Sequence, residues 1–206
     1  MKNADHAIVL LAAGASTRLG KPKQLLSYNG KSLLKHAIDL ALGSRANPVV
    51  IVLGAHAEQL MKEATQPGVH VIKNERWKEG MASSLNAGLN EVLRISPMIN
   101  SVLFMVCDQP FVTKELLQTM LKEYELTRKP MIACSYDDSI GTPALFDKTV
   151  FALLFDLEGE EGAKKLLKAY PELVATVDFP DGNVDIDTVS DYDDLVGDNH
   201  TRKYKD

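Results

Sequence analysis

Five short apolar segments alternate with amphipathic ones along the chain, and this alternation constrains the fold more than any other feature. They are AIVLL at 7–11, PVVIVL at 48–53, VHVI at 69–72, SVLFMV at 101–106 and MIACS at 131–135. Each has the length and β-branched content of a strand, and most are continuously apolar, as strands buried on both faces of a parallel sheet are. The pattern predicts a single-domain α/β fold with a Rossmann-like, mostly parallel sheet.

Helical periodicity supports the same architecture. In SLLKHAIDLAL (32–42) the apolar residues fall on one stripe of a 3.6-residue period, and a second amphipathic segment begins after Thr113, a suitable N-cap. In open α/β sheets ligands bind at the carboxyl ends of the strands. The segments that follow the apolar runs are therefore where functional residues are expected.

Charge and composition exclude several classes of protein. The net charge of −5 over 206 residues argues against a nucleic-acid-binding protein, and no apolar run is long enough for a membrane span. Cys107 and Cys134 have no metal-site or disulfide-framework spacing, and the N-terminus lacks a signal peptide pattern. We expect a cytoplasmic protein with one domain at 1–196 and a polar tail at 197–206.

The loop after the first apolar run, LAAGASTRLGKPKQLL (11–26), has the composition of a phosphate-binding loop. Gly14, Gly20 and small residues let the backbone turn closely around a ligand, and Arg18 and Lys23 supply positive charge. The spacing of a Walker A loop is absent, because five residues separate the two glycines and Pro22 follows Lys21; a GxGxxG fingerprint is absent as well. The alternative is a solvated turn with scattered cations.

This loop resembles the signature loop of the MobA-like NTP transferase superfamily, roughly LAAGxSxRxGxxK, and the resemblance extends over about residues 7–195. It implies a fold of the nucleotide-diphospho-sugar transferase type and a loop that wraps an incoming triphosphate. Lys23 and Arg18 would then act on the phosphates as catalytic residues. The loop residues implied in nucleotide binding are Leu11, Ala12, Ala13, Gly14, Ser16, Arg18 and Lys23.

Two acidic positions suggest a metal site. Asp108 ends the apolar run SVLFMV, where a carboxylate has no packing role, and a hard oxygen ligand there suits Mg²⁺. Asp185 and Asp187 follow in GNVDIDTVSDYDDL. The resemblance implies that Asp108 is a metal ligand and catalytic residue, and that Asp187 completes the site. The alternatives are that Asp108 caps a turn and that Asp187 or Thr188 caps the last helix.

A third segment, NERWKEGMASSLNAGL (74–89), places Gly80, Ser83 and Ser84 at the start of a helix, a position that attracts anions and polar groups. It resembles the element found in the cytidylyl-transferring branch of the superfamily. Together with alanine rather than a second glycine at position 13, this resemblance favours CTP over GTP.

The acceptor pocket is expected further along the chain. SIGTPALF (139–146), with Gly141 and Pro143, resembles an acceptor-binding element of the superfamily, although a simple bend before a helix accounts for it equally well. Lys164 stands where the superfamily has an arginine, so the charge is kept but the bidentate geometry is lost.

The resemblance as a whole implies a Mg²⁺-dependent nucleotidyltransferase that moves CMP from CTP to molybdopterin cofactor and supports maturation of a xanthine dehydrogenase-type enzyme, whose apo form is a candidate partner. Two alternatives remain open. One is transfer to a sugar or polyol phosphate, such as a methylerythritol phosphate; the other is a non-catalytic carrier of the finished cofactor.

Overall fold

The computed structural model describes the backbone of residues 6–202 and the side chains of residues 6–197. The strands are β1 (His6–Ala12), β2 (Ser27–Tyr28), β3 (Lys31–Ser32), β4 (Val49–Leu53), β5 (Val69–Lys73), β6 (Ser101–Val106), β7 (Met131–Tyr136), β8 (Ser139–Asp147) and β9 (Val174–Asp178). The α-helices are α1 (Leu33–Gly43), α2 (Ala57–Ala64), α3 (Met81–Ile95), α4 (Lys114–Thr127), α5 (Phe151–Phe155), α6 (Lys164–Ala169) and α7 (Val189–Arg202).

Seven strands form one sheet in the order β5-β4-β1-β6-β8-β7-β9, and β2 and β3 form a separate hairpin. Only β8 runs antiparallel to its neighbours in the seven-stranded sheet, so the predicted mostly parallel α/β architecture is confirmed. The parallel register of β1 with β4 and β6 brings the carboxyl ends of these three central strands to one edge of the sheet.

The core lies on both faces of the sheet. Along β1, Ile8 and Leu10 pack on the face covered by α1, α2 and α4, whereas Ala7 and Val9 pack on the face covered by α3, α5 and α6. Successive side chains of a strand point to opposite faces, so a continuously apolar strand is the sequence that this double burial requires.

The structure differs from the sequence prediction around β8 and β9. The segment 139–146, where we expect a turn within an apolar strand pattern or, alternatively, a bend before a helix, lies in the long strand β8, whose pairing with β7 shifts between Ala133 and Cys134. The shift places Thr142 and Pro143 opposite no partner residue, and a bulge is where proline is tolerated because it cannot donate to the ladder. Strand β9 was not predicted, because its short and partly exposed segment carries a weak apolar signal.

The C-terminal segment returns to the loop that follows β1. Ile186 and Leu195 pack with Leu19, Leu26 and Leu33 in a separate hydrophobic cluster. Helix α7 continues through residue 196 as far as Arg202, so the first part of the predicted polar tail is helical; the division at 196 and 197 remains a prediction, and residues 203–206 lie outside the described part. Within that part, no helix combines the length and apolar character that a bilayer crossing requires.

Candidate active site

The loop after β1 is held open by side chains that bind its carbonyl oxygens. The Nε2 group of Gln24, which is buried, donates to the carbonyls of Ala12 and Gly14 over 3.2 and 3.1 Å. His56 Nε2 lies 2.9 Å from the carbonyl oxygen of Ala15, which can only accept, so this nitrogen carries the proton. The Ala55 N–H donates to the Ala13 carbonyl over 3.1 Å, so the carbonyls of all four residues from Ala12 to Ala15 are bonded to protein.

The N–H groups of the same loop remain available. Among the described residues, the backbone N–H groups of Gly14 and Ala15 have no protein acceptor. Ser16, in the left-handed region with φ 52°, accepts from the Lys23 N–H through Oγ over 3.1 Å and closes the loop. Bonded carbonyls together with free N–H groups are the arrangement of an anion-binding nest.

A cleft of about 500 Å³ lies beside this loop. It is lined by Leu11, Ala12, Ala13, Gly14 and Lys23 from the loop and its flanks, and by Gly80 and Ser84 across from them. Ser16, Arg18 and Ser83, the other residues predicted to bind nucleotide, do not line it. Ser16 accepts from the Lys23 N–H within the loop. The Ser83 hydroxyl lies 2.9 and 2.8 Å from the carbonyl oxygens of Arg76 and Gly80 and shares its proton between them.

Gly80 and Asn74 shape the far wall of this cleft. Gly80 precedes α3 with φ 103°, and a Cβ there would lie 2.1 Å from the carbonyl oxygen of Gly159, so no other residue fits. The buried Asn74 side chain donates to Ser83 Oγ and Ser84 Oγ over 2.9 and 3.0 Å. Asn74 was missed by the sequence reasoning, because an asparagine after a strand carries no distinctive signal.

At the centre of the site, the Lys23 ammonium lies between two carboxylates. It donates to Asp108 Oδ2 and, over 2.8 Å, to Asp187 Oδ1. Arg18 donates to the other oxygen of Asp187 over 2.7 Å. The lysine and Asp108 side chains are 15% and 16% exposed, whereas Arg18 is 68% exposed, so charge pairing is strongest at Lys23. The structure thus brings four of the predicted residues together.

The protonation states follow from this pairing. Burial alone would lower the pKa of the Lys23 ammonium, but the carboxylates of Asp108 and Asp187 outweigh it and hold that pKa above its usual value. The hydrogen bond from Lys23 is the main cause that lowers the pKa of Asp187. The site therefore keeps a cation and ionised Asp187 at neutral pH.

Asp185 stands beside this group at the mouth of a second cleft. Asp185 is exposed to solvent as a residue, but neighbouring protein atoms partly dehydrate its carboxylate. This desolvation, together with the negative charges of Asp108 and Asp187, raises the pKa of Asp185 to about 6.

The capping alternatives are settled by the contacts. Thr188 Oγ1 accepts from the Asp191 N–H over 3.2 Å, while the Asp191 carboxylate accepts from the Thr188 N–H over 2.7 Å. This reciprocal pair is a capping box, so Thr188 is the N-cap of α7 and the Asp187 carboxylate is left to face Lys23 and Arg18. Asp108 likewise directs Oδ2 to Lys23 instead of capping a turn.

The donor set fits a hard divalent cation. Asp108 Oδ1 is buried and has no hydrogen-bond partner in the described part of the chain, and Asp187 Oδ1 binds the same ammonium as Asp108 Oδ2. Within residues 6–202 no cluster of three or more His, Cys, Asp or Glu side chains is arranged to hold a metal ion. Two carboxylates suit Mg²⁺, which completes its coordination with water and substrate phosphates.

The second cleft, of about 400 Å³, adjoins the first and shares Lys23 and Asp108 with it. Gly141 and Lys164, predicted to bind the acceptor, line it, and so does Arg18. Pro143 is buried and does not line this cleft. Tyr136 and Asp185 line it too; Asp185 had been singled out only as the companion of Asp187, and Tyr136, at the end of a strand, gave no signal in the sequence.

Cys107 has no part in this chemistry. The residue is buried beside Asp108, and desolvation raises the pKa of its thiol to about 12. A thiol of this kind stays protonated and serves as a small core residue.

Comparison with known proteins places these features in context. Residues 8–174 match the protein family described as "MobA-like NTP transferase domain". Nicotine blue oxidoreductase of Paenarthrobacter nicotinovorans is 34% identical over 190 residues, covering 88% of this chain and 91% of that protein. Purine catabolism protein PucB of Bacillus subtilis (strain 168) is 26% identical over 200 residues, covering 90% and 93% of the two chains.

Solved structures of other proteins have a similar fold. Rv0371c from Mycobacterium tuberculosis H37Rv superimposes with a TM-score of 0.82 at 30% identity, covering 94% of this chain and 98% of that one. A structure of Rv0371c in complex with manganese gives a TM-score of 0.78 at 29% identity, with the same coverage of the two chains.

Proposed function

Because the chain belongs to the family of MobA-like NTP transferase domains and is a nucleotidyltransferase, we propose that it transfers CMP from CTP to molybdopterin cofactor in a Mg²⁺-dependent reaction that releases pyrophosphate. The cytidylylated cofactor would serve a xanthine dehydrogenase-type enzyme in the cytoplasm. The apo form of that enzyme is the proposed partner. The relative named for purine catabolism supports this direction.

One observation carries the proposal. The Lys23 ammonium, held between Asp108 and Asp187, lies where the two clefts meet. A nucleotide in the larger cleft and an acceptor in the smaller one would bring their phosphates to this point. Nucleotidyl transfer needs such a junction, because its catalysis consists mainly of positioning and charge neutralisation.

The reaction proposed is an in-line substitution. An oxygen of the acceptor phosphate forms a bond to the α-phosphorus, the bond from that phosphorus to the bridging α–β oxygen breaks, and pyrophosphate leaves with that electron pair. No general base is required, since the attacking phosphate is already ionised. The N–H groups of Gly14 and Ala15 would bind phosphate oxygens, and Lys23 would turn from the carboxylates toward the triphosphate.

Asp108 and Asp187 would hold the divalent cation, which when bound supplies positive charge to the phosphate oxygens. The similar mycobacterial protein Rv0371c has been solved in complex with manganese, which supports divalent-cation binding by a protein of this fold. Arg18, on the acceptor side of the junction, would steady Asp187 and the incoming phosphate.

CTP is proposed over GTP on two positions. The first position is Ala13, which lines the nucleotide cleft. Gly54 packs so closely against Ala13 that a Cβ added at Gly54 would lie 2.7 Å from the Ala13 Cβ. The Gly80–Ser84 start of α3, which carries the likeness to the cytidylyl-transferring branch, forms the opposite wall.

The test is pyrophosphate release from CTP, GTP and ATP, each with and without molybdopterin cofactor and Mg²⁺. Release with CTP only when the cofactor is present supports the proposal. Release with sugar or methylerythritol phosphates would replace the acceptor, and cofactor binding without any release would identify a carrier.

Since one relative is named an oxidoreductase, a parallel assay follows oxidation of reduced nicotinamide nucleotides; turnover there without pyrophosphate release would overturn nucleotidyl transfer.

A further inference from the structure

We infer that Tyr136 is a specificity-determining residue of the acceptor cleft, where its ring forms a platform for an acceptor that carries a flat heteroaromatic ring and a phosphate. The inference deepens the proposed function and rests on it for the assignment of the second cleft to the acceptor. It assigns a role to a side chain that the signature motifs of the sequence leave out.

The ring of Tyr136 is held in place by backbone packed against it. A Cβ at Gly141 would lie 2.1 Å from the Tyr136 hydroxyl oxygen, and one at Gly182 would lie 2.4 Å from Tyr136 Cδ1. Neither glycine leaves room for a side chain, so the ring contacts the backbone directly on these sides. A platform fixed in this way loses little conformational entropy when a ligand stacks on it.

The rest of the cleft is matched to a flat ring with an anionic group. Its floor is apolar: Leu11, Met81 and Val106 present accessible surface there, while Leu85, Phe104, Ala144 and Leu167, which also line it, are fully or nearly fully buried. Its rim is charged: Arg18, Lys23 and Lys164 supply positive charge for an anionic group, beside the carboxylates of Asp108, Asp185 and Asp187. A sugar or polyol would leave its hydroxyl groups unpaired against this floor, whereas a heteroaromatic ring covers it and keeps its polar edge toward the rim.

Lys164 links the platform to the charge of the ligand. Its ammonium lies over the Tyr136 ring, 5.9 Å from the centroid. This distance is in the range of a cation–π contact. The contact keeps the Lys164 ammonium close to the ring, and the lysine side chain remains exposed to solvent. A ligand stacked on Tyr136 would displace this ammonium from the ring, and the long, exposed lysine side chain can then turn to a phosphate substituent of that ligand.

The experiment measures binding and turnover separately. Calorimetry follows binding of a pterin bearing a phosphate monoester, and of a sugar phosphate of equal charge, to the whole protein. The variants are Tyr136→Leu, Tyr136→Phe and Lys164→Met, with Tyr170→Leu as a matched control at a half-buried tyrosine that lines neither cleft.

We expect Tyr136→Leu to raise the Kd for the pterin phosphate about tenfold, the usual scale for loss of one stacked aromatic contact. Tyr136→Phe should retain affinity, and the KM for CTP should stay unchanged in both. Lys164→Met should weaken both phosphates alike, and Tyr170→Leu neither.

An unchanged pterin Kd in Tyr136→Leu, equal losses for pterin and sugar phosphates, or no binding of the pterin phosphate by the unmodified protein would each overturn the inference. Binding that depends on Tyr136 without pyrophosphate release from any nucleotide would instead reject the proposed function and leave the platform standing. Thermal unfolding of each variant separates loss of the ring from loss of the fold.

Discussion

The ammonium of Lys23 donates a hydrogen bond of 2.8 Å to Oδ1 of Asp187, a residue 164 positions further along the chain. The same ammonium also bonds Asp108, so one cation joins the loop after β1, the end of β6 and the segment before α7. Removal of this cation would leave two carboxylates facing each other in a partly dehydrated site.

We therefore expect Lys23→Met to lower the free energy of unfolding by about 3 kcal/mol, the scale for breaking a buried ion pair on one side. Urea unfolding measures it. Lys31→Met is the matched control, because Lys31 pairs with Asp39 over 2.6 Å but is 54% exposed, and its loss should cost less than about 1 kcal/mol. Adding Asp108→Asn to Lys23→Met should recover part of the loss; a strictly additive double variant would contradict the pairing.

Asp108→Asn keeps the shape of the side chain and removes its charge. If Asp108 holds the catalytic cation, pyrophosphate release should fall about a hundredfold or more while the circular dichroism spectrum stays the same. Asp39→Asn, at the exposed ion pair, should keep full activity. Metal-dependent turnover retained in Asp108→Asn would remove Asp108 from the metal site.

Two glycines of the nucleotide cleft should respond differently to alanine. At Gly80, with φ 103° and the Gly159 carbonyl in the way, Gly80→Ala should lower the free energy of unfolding by about 3 kcal/mol. At Gly14, a Cβ has nothing within 4 Å, so Gly14→Ala should leave stability unchanged. If the loop wraps a phosphate, however, Gly14→Ala should weaken CTP binding by calorimetry, because the added methyl stands where the ligand approaches. Unaltered CTP affinity would argue against close backbone contact there.

Asn74→Ala should act through the two serines that it holds. Loss of these bonds leaves the buried Ser84 hydroxyl and the half-buried Ser83 hydroxyl with fewer partners, so we expect about 2 kcal/mol less stability. If Ser84 contacts nucleotide, the KM for CTP should rise more than kcat falls. Thr65→Ala, at an exposed hydroxyl bonded to the Met61 carbonyl, serves as the control. A change confined to kcat would place Asn74 outside nucleotide binding.

The two cysteines give a prediction on pH. Desolvation by burial raises the pKa of both Cys107 and Cys134 from 9.0 to about 12. The folded state therefore keeps protons that the unfolded state releases above pH 9, and stability should fall as the pH rises from about 9 to about 12. At about pH 8 a thiol reagent should label the folded protein at least about a hundredfold more slowly than the protein in urea. Serine variants at each position assign the rates, and fast labelling in the folded state would refute the burial of that thiol.

The sequence determined the parts of this protein that depend on local pattern. Continuous apolar runs such as 49–53 can be satisfied only between two layers of helices, so the central strands and the sheet class followed from them. Since the carboxyl ends of parallel strands meet at one edge, the loop of Lys23 and the position of Asp108 were also expected to converge.

The tertiary structure decided what depends on contacts between distant segments. Strand β9 and the bulge in β8 exist because β7 offers them a pairing edge, which no local pattern records. Tyr136 gained its place from the absence of side chains at Gly141 and Gly182, and Asp187 faces Lys23 because Thr188 took the role of helix cap. Residue type and spacing set the chemistry that is present, but a side chain acquires its partner only when packing fixes the distance between them.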